Sequence, residues 1–238
     1  MIEQSLPYPT EPYQLSYSPG ACSLAPHIVL EDLQLPFKLA LVSTMDGSTQ
    51  SADDLRLNPK GRVPVLVKGD FVLTEAPAIL LHLALSHTPG PGLADLIPAA
   101  PDALVRCVEW FNWLSGTVHA VAIRQVWRPQ SFTQNVTQHT GIIVKGRDNL
   151  TDAFAYIEQR LVNAVWAVGV HYSVVDAYLL VFYRWGNRIG FDMSELYPVW
   201  TAHAKRLLER PAVARALTTE GILVWCQATL TVEIDGRL

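Results

Sequence analysis

The hydrophobic and polar positions divide the chain into two unlike parts. In the first part the apolar runs are short. Tyr13-Gln14-Leu15-Ser16-Tyr17 predicts a strand, Ile28-Val29-Leu30-Glu31-Asp32-Leu33 an amphipathic helix, and Phe37-Lys38-Leu39-Ala40-Leu41 a second strand. Strand, helix and strand in that order form a βαβ unit whose two strands run parallel. A Ser/Thr/Gly-rich loop over 43–50 and a short helix over 52–57 follow, closed by Asn58-Pro59-Lys60-Gly61. Arg62 to Val67 and Phe71 to Leu73, joined by Lys68-Gly69-Asp70, predict a hairpin. Pro64 belongs at its start because it cannot donate to a ladder. Thr74 as N-cap and Pro77 in a first turn then open an apolar helix over 78–85.

After a Pro/Gly-rich stretch the strands stop. Leu104, Val108, Phe111, Leu114 and Val118 keep helical spacing in one run from Asp102 to Val126, and Leu150, Phe154, Ile157 and Leu161 mark another over 148–165. Val174 to Phe182 is apolar almost all round, the pattern of a helix at the centre of a domain. Ser173 and Asp176 form a capping pair at its start. Two amphipathic helices over 197–208 and 211–217 surround it. The expected organisation is an irregular leader over 1–12, an α/β domain over 13–87, a linker over 88–100, an all-helical domain over 101–221 and a tail over 222–238.

Composition narrows what such a chain can do. Half of its 238 residues are hydrophobic and 17% are charged, so it is globular. A formal net charge of −4 without a basic cluster argues against nucleic acid or an anionic membrane as partner. No apolar run is long enough to span a bilayer, and the N-terminus lacks the marks of a secretory signal. Cys22, Cys107 and Cys226 are odd in number and far apart, which supports neither a disulfide framework nor a bound metal. A reducing cytoplasm is the expected compartment.

The chemistry concentrates at Ser18-Pro19-Gly20-Ala21-Cys22-Ser23-Leu24-Ala25-Pro26-His27. Pro26 fits a helix only in its first turn, so the helix begins close to Cys22 or Ser23. That sets a thiol at a helix N-terminus, where the dipole favours the thiolate. The order β-α-β-α-β-β-α is that of a thioredoxin-like domain, with Cys22 where such domains hold a reactive thiol. On position alone Cys22 reads equally well as a small buried residue.

Several pieces, taken in order, resemble the cytosolic glutathione transferases, and within them the bacterial beta class. They are Tyr17 to His27, Asn58 to Leu66, Leu73 to Leu80, Glu109-Trp110-Phe111-Asn112-Trp113-Leu114, His119, Ser173 to Leu179 and Leu217 to Gly221. The resemblance implies a thioredoxin-like domain followed by a helical bundle, with glutathione as cosubstrate and no metal. It implies a homodimer acting in detoxification on a small hydrophobic electrophile or a disulfide. Cys22 and His119 become the catalytic candidates. Glu75 would pair with the γ-glutamyl ammonium, with Ala76 offering a helix-start amide to the γ-glutamyl carboxylate. Val63, before Pro64, would align the cysteinyl backbone if the bond between them is cis. Asn112 is set near the sulfur with His119, seven residues on and so on the same helix face. Cys22 would work as a monothiol in conjugation, disulfide exchange or peroxide reduction, whereas Cys107 and Cys226 read as structural. Trp110, Trp113 and Trp127 are candidates for the hydrophobic substrate site or for core, and Arg124 and Arg128 read as solvated.

Two departures stand out. The loop after the second strand reads Thr44-Met45-Asp46-Gly47-Ser48, where the beta class usually carries lysines that reach the glycyl carboxylate. Ala120 stands where a lysine commonly follows the histidine. Both remove positive charge, which keeps a second reading open: a binding or partner-docking module with weak affinity for glutathione.

Overall fold

The structure is a computed structural model that describes residues 11–87, 96–98 and 100–225. Most of the expected leader and linker, Cys226 and the end of the expected tail lie outside the described residues.

The alternating runs of the first part become strands β1 (Tyr13–Tyr17), β2 (Phe37–Leu41), β3 (Val65–Lys68) and β4 (Phe71–Thr74), in the sheet order β2-β1-β3-β4. β1 and β2 are parallel, with Leu15 opposite Leu39. β3 runs antiparallel to β1, with Leu66 opposite Leu15, and β4 antiparallel to β3, with Val72 opposite Val67. These directions bring the C-terminal ends of β1, β2 and β4 and the N-terminal end of β3 to one end of the sheet. The loops that carry the candidate chemistry all leave from that end.

Helices α1 (Leu24–Asp32), α2 (Ala52–Leu57) and α3 (Ala76–Ser86) complete the first domain. Thr74 ends β4 and does not cap α3; Glu75 takes that position. The sequence predicts an amphipathic first helix, yet every residue of α1 except Glu31 is buried. The reason lies in the second domain, whose α7 (Val174–Ile189) and α10 (Pro211–Glu220) pack on α1 together with α3. One hydrophobic cluster therefore runs from Leu15 and Ile28 through Phe111 to Tyr178 and Phe182.

The helical domain differs from its spacing-based outline in two places. The run from Asp102 is α-helical only over α4 (Pro101–Trp113), becomes a π-helix over Leu114–Ile123, and returns as α5 (Arg124–Trp127). The next helix, α6 (His139–Leu161), begins nine residues earlier than predicted and stops sooner. α7 is buried on all sides, with Arg188 its one unburied residue, as its pattern requires. Its Asp176 carboxylate, itself buried, accepts Ser173 N–H at 2.8 Å, Ser173 Oγ–H at 2.9 Å and Ala167 N–H at 2.8 Å, and lies 2.7 Å from His203 Nε2. Those contacts tie the start of α7 to α9 (Pro198–Leu208). A four-residue α8 (Met193–Leu196) precedes α9. Among the described residues no helix is long and apolar enough to cross a membrane.

Candidate active site

The Cys22 turn is closed by its own hydroxyls. Ser23 Oγ accepts from Ser18 N–H and donates to Ser18 C=O, both at 3.2 Å, and Ala21 N–H bonds Ser18 C=O at 3.0 Å. Ser23 is the N-cap of α1, so Cys22 stands one residue outside the helix. Its Sγ donates to Val63 C=O at 3.5 Å, which brings two of the predicted site residues into direct contact. The expected thiolate is not what this environment favours. Burial pushes the Cys22 thiol up to about 12, and the Glu75 carboxylate adds to the rise. The amides of Cys22 and Ser23 and the charge of Arg62 pull the other way without offsetting it. Cys22 is thus a neutral S–H donor.

Val63 is delivered by a small ordered loop. Asn58, buried, donates to Arg62 C=O at 2.7 Å, accepts from Lys60 N–H at 3.2 Å, and its carbonyl receives Gly61 N–H at 2.9 Å. The Val63–Pro64 bond is cis, which meets the condition for Val63 to align a ligand backbone. Glu75 holds φ at +73°, a conformation that L residues seldom adopt and that tends to persist at functional sites where surroundings enforce it. Its carboxylate is exposed and pairs with Lys60 Nζ, which also donates to Thr74 Oγ1 at 2.7 Å. Ala76, the first residue of α3, is buried behind it.

His119 faces this group from the π-helical segment. Its ring lies 4.7 Å from that of Trp185 and 6.4 Å from that of Phe182. Burial, and then the positive charges of Arg62 and Arg124, bring it down to about 4, so it is a neutral imidazole at physiological pH. The structure does not keep Asn112 beside it. Seven residues close two turns of an α-helix, but i→i+5 bonding from Leu114 widens the turn and carries His119 round to another face. Asn112 is left exposed. Trp110 and Trp113 are likewise separated from the thiol. They line a groove of about 600 Å³ between α4 and α6, with Tyr156 and Arg160, that includes neither Cys22 nor Glu75. Trp127 does turn toward the site and meets Trp185 at 5.4 Å.

Further positions join this group, and the sequence reading had given none of them a role in it. Gly20, at φ +68°, is gripped on both sides: its N–H donates to Glu220 Oε2 at 2.7 Å, and its C=O accepts Trp185 Nε1–H at 2.9 Å and Arg184 Nη1–H at 3.3 Å. Trp185 therefore joins the thiol turn to His119. A side chain at Gly20 would meet the Arg184 guanidinium at 2.3 Å, which excludes even alanine without a shift. Tyr178 is buried on α7, and burial above all, with the Glu75 carboxylate adding to it, holds its hydroxyl protonated. Besides its place in the Leu217 to Gly221 piece of the resemblance, Glu220 carries one local signal, an acid in the last turn of a helix against the helix dipole, a conflict of the kind that marks a tertiary role.

With Cys22 near 12 and His119 near 4, neither group changes charge between pH 5 and 9. Alkylation of Cys22 by iodoacetamide, followed by peptide mass spectrometry, is expected to be slow at pH 7. Its rate should climb about tenfold per pH unit as far as pH 10, because only the thiolate reacts and its fraction rises tenfold per unit below the pKa. A plateau near pH 8.5 would show that the thiol ionises as a free one does.

Comparison with known proteins agrees with this geometry. Residues 20–85 match the family model "Glutathione S-transferase, N-terminal domain" and residues 143–211 the model "Glutathione S-transferase, C-terminal domain". The glutathione S-transferase GstA of Escherichia coli O157:H7 is 31% identical over 211 residues, covering 88% of this chain and 99% of its own. A solved bacterial beta class glutathione S-transferase of Sphingomonas chungbukensis is 31% identical, covers 88% of this chain and 100% of its own, and superposes with a TM-score of 0.74. A glutathione transferase homologue from Sulfitobacter, solved with bound glutathione, is 27% identical, covers 89% of this chain and 99% of its own, and has a TM-score of 0.80.

Proposed function

The chain belongs to the glutathione S-transferase family, and from that premise we propose that it conjugates glutathione to small hydrophobic electrophiles in the manner of the beta class. The observation that carries the reading is the line of groups along one end of the sheet. Glu75 stands at the end of β4, Val63 before cis-Pro64 at the start of β3, and the Cys22 thiol 3.5 Å from Val63 C=O after β1. A γ-glutamyl ammonium fits the Glu75 carboxylate, displacing Lys60, and the first amides of α3 receive the γ-glutamyl carboxylate. The cysteinyl backbone then lies against Val63, and its sulfur beside Cys22.

The neutral state of Cys22 supports a donor role. Its S–H, held protonated by burial, stabilises the glutathione thiolate by a hydrogen bond; His119, held neutral, faces the same group as an uncharged imidazole, and the proton that the glutathione thiol gives up passes to solvent. The thiolate attacks the electrophilic carbon, a carbon–sulfur bond forms, and the leaving group departs with the bonding pair. Trp127 and Trp185, beside His119, suit an apolar substrate. A second reaction rests on the lone thiol itself: Cys22 attacks a mixed disulfide, takes the glutathionyl sulfur and releases the other thiol. A second glutathione then attacks the Cys22 adduct, leaving glutathione disulfide and the free cysteine. The reading includes a cytoplasmic homodimer. Exposed Phe71 and Val72 on edge strand β4 support a partner surface there, which light scattering reads directly. A docking module without catalysis has no need of a strained Glu75 aligned with a thiol.

Cys22→Ala and Cys22→Ser test the assignment. Conjugation of an aryl halide should fall about tenfold in the alanine variant, the worth of one hydrogen bond to a charged group, and recover in part with serine. Disulfide reduction should vanish in both. Glutathione consumption with neither substrate in the parent protein would overturn the enzyme reading.

A further inference from the structure

The proposed site accounts for two of the three residues of glutathione and leaves the glycyl carboxylate without a cation. The order of the strands says where that carboxylate goes. β4 is an edge strand, so a tripeptide whose γ-glutamyl end sits at Glu75 can extend only across β3 and β1 toward the end of β2. The segment that leaves β2 is 43–50, and it contains no basic residue.

A basic residue does reach that place from the second domain. Arg128, next after α5, donates from Nη2 to Thr44 C=O at 3.0 Å, across 84 residues of sequence. Thr44 in turn is joined to the thiol turn: its N–H bonds Ser18 Oγ at 3.3 Å and its Oγ1 lies 3.4 Å from the same oxygen. No carboxylate among the described residues pairs with Arg128. Its side chain is exposed, and the guanidinium has five N–H donors, of which one contact uses one. Neighbouring strands are about 4.8 Å apart, so three intervals separate the Glu75 and Thr44 ends by about 14 Å. Three extended residues cover at most about 11 Å. The remaining gap is one that an arginine side chain leaning over the Thr44 loop can close.

We propose that Arg128 binds the glycyl carboxylate of glutathione, replacing from the helical domain the cation that the 43–50 loop lacks. This rests on the glutathione site proposed above. Its consequence is that the third residue of the ligand is read by the second domain while the first two are read by the first, so ligand binding bridges the two domains.

The test is calorimetry with three ligands: glutathione, γ-glutamylcysteine, which lacks the glycine, and the glycyl ethyl ester of glutathione, which lacks its charge. The parent protein should bind glutathione about three- to tenfold more tightly than either of the other two. Arg128→Ala should remove that preference and leave the γ-glutamylcysteine affinity unchanged, and Arg128→Lys should restore part of it. Arg62→Ala, which removes another exposed arginine of the site, should keep the preference. If Arg128→Ala still prefers glutathione to the same degree, or weakens all three ligands equally, the assignment of Arg128 is wrong while the site stands. If the parent protein binds none of them, both the site and this assignment fall.

Discussion

Glu220→Ala is expected to lower the stability of the fold by about 2–6 kcal/mol, because two buried hydrogen-bonding groups lose their acceptor at about 1–3 kcal/mol each. Glu220 and His27 are fully buried at the side chain, with Oε1 2.9 Å from Nδ1, and Oε2 takes the Gly20 amide at 2.7 Å. Nothing else among the described residues takes that amide. His27 Nε2 already lacks a partner, so the truncation leaves both ring nitrogens and a backbone N–H unpaired in the shared core. The consequence reaches the chemistry, because Gly20 lies two residues before Cys22. Activity per folded molecule should fall along with stability. Glu220→Gln keeps the shape and one acceptor, and should lose less than alanine on both counts. Urea unfolding with an unchanged slope measures the stability change. A shift no larger than the roughly 0.5 kcal/mol of an ordinary surface substitution would show that the clamp holds nothing.

Glu75→Ala should produce the opposite pairing of effects. A charge-assisted contact to the γ-glutamyl ammonium is worth about 1.5–3 kcal/mol, so glutathione affinity should fall about 10- to 150-fold. Stability should stay within about 0.5 kcal/mol, because the Lys60 pair is exposed and alanine meets the same positive φ that glutamate already tolerates. Calorimetry alongside thermal unfolding separates the two quantities. Retention on immobilised glutathione equal to that of the parent protein would remove Glu75 from the site. Set beside Glu220, the comparison distinguishes a residue that meets the ligand from one that shapes what the ligand meets.

How far the sequence could be read depended on the range of the interaction. Local signals served well: alternation located β1 and the β3–β4 hairpin, Pro64 fell at a strand start, and an apolar run of every azimuth put α7 at the centre. Cys22 could be named from its place at a helix start, whereas Val63 and Glu75 were named through the family resemblance. Burial and charge at a distance left no such mark. The apolar face that α1 keeps for α7 and α10 looks in sequence like half of an amphipathic helix. The thiolate expected from the helix dipole is overruled by desolvation that only the folded core imposes. Asn112 and His119 were paired by a period of 3.6 that a π-helical stretch does not keep. Arg128 read as solvated and Trp185 carried no reading at all, because their partners, Thr44 and Gly20, lie 84 and 165 residues away.

The grip on Gly20 also sets an order of events during synthesis. The thiol turn leaves the ribosome about 200 residues before the glutamate that fastens it, an interval of roughly 10–40 s at ordinary elongation rates. Throughout that interval Cys22 belongs to a growing chain whose turn still lacks the carboxylate that takes the Gly20 amide. Only when α10 arrives is the turn that carries the sulfur fastened to the helical domain's last acid, so the geometry of the first domain's thiol is completed by the end of the second.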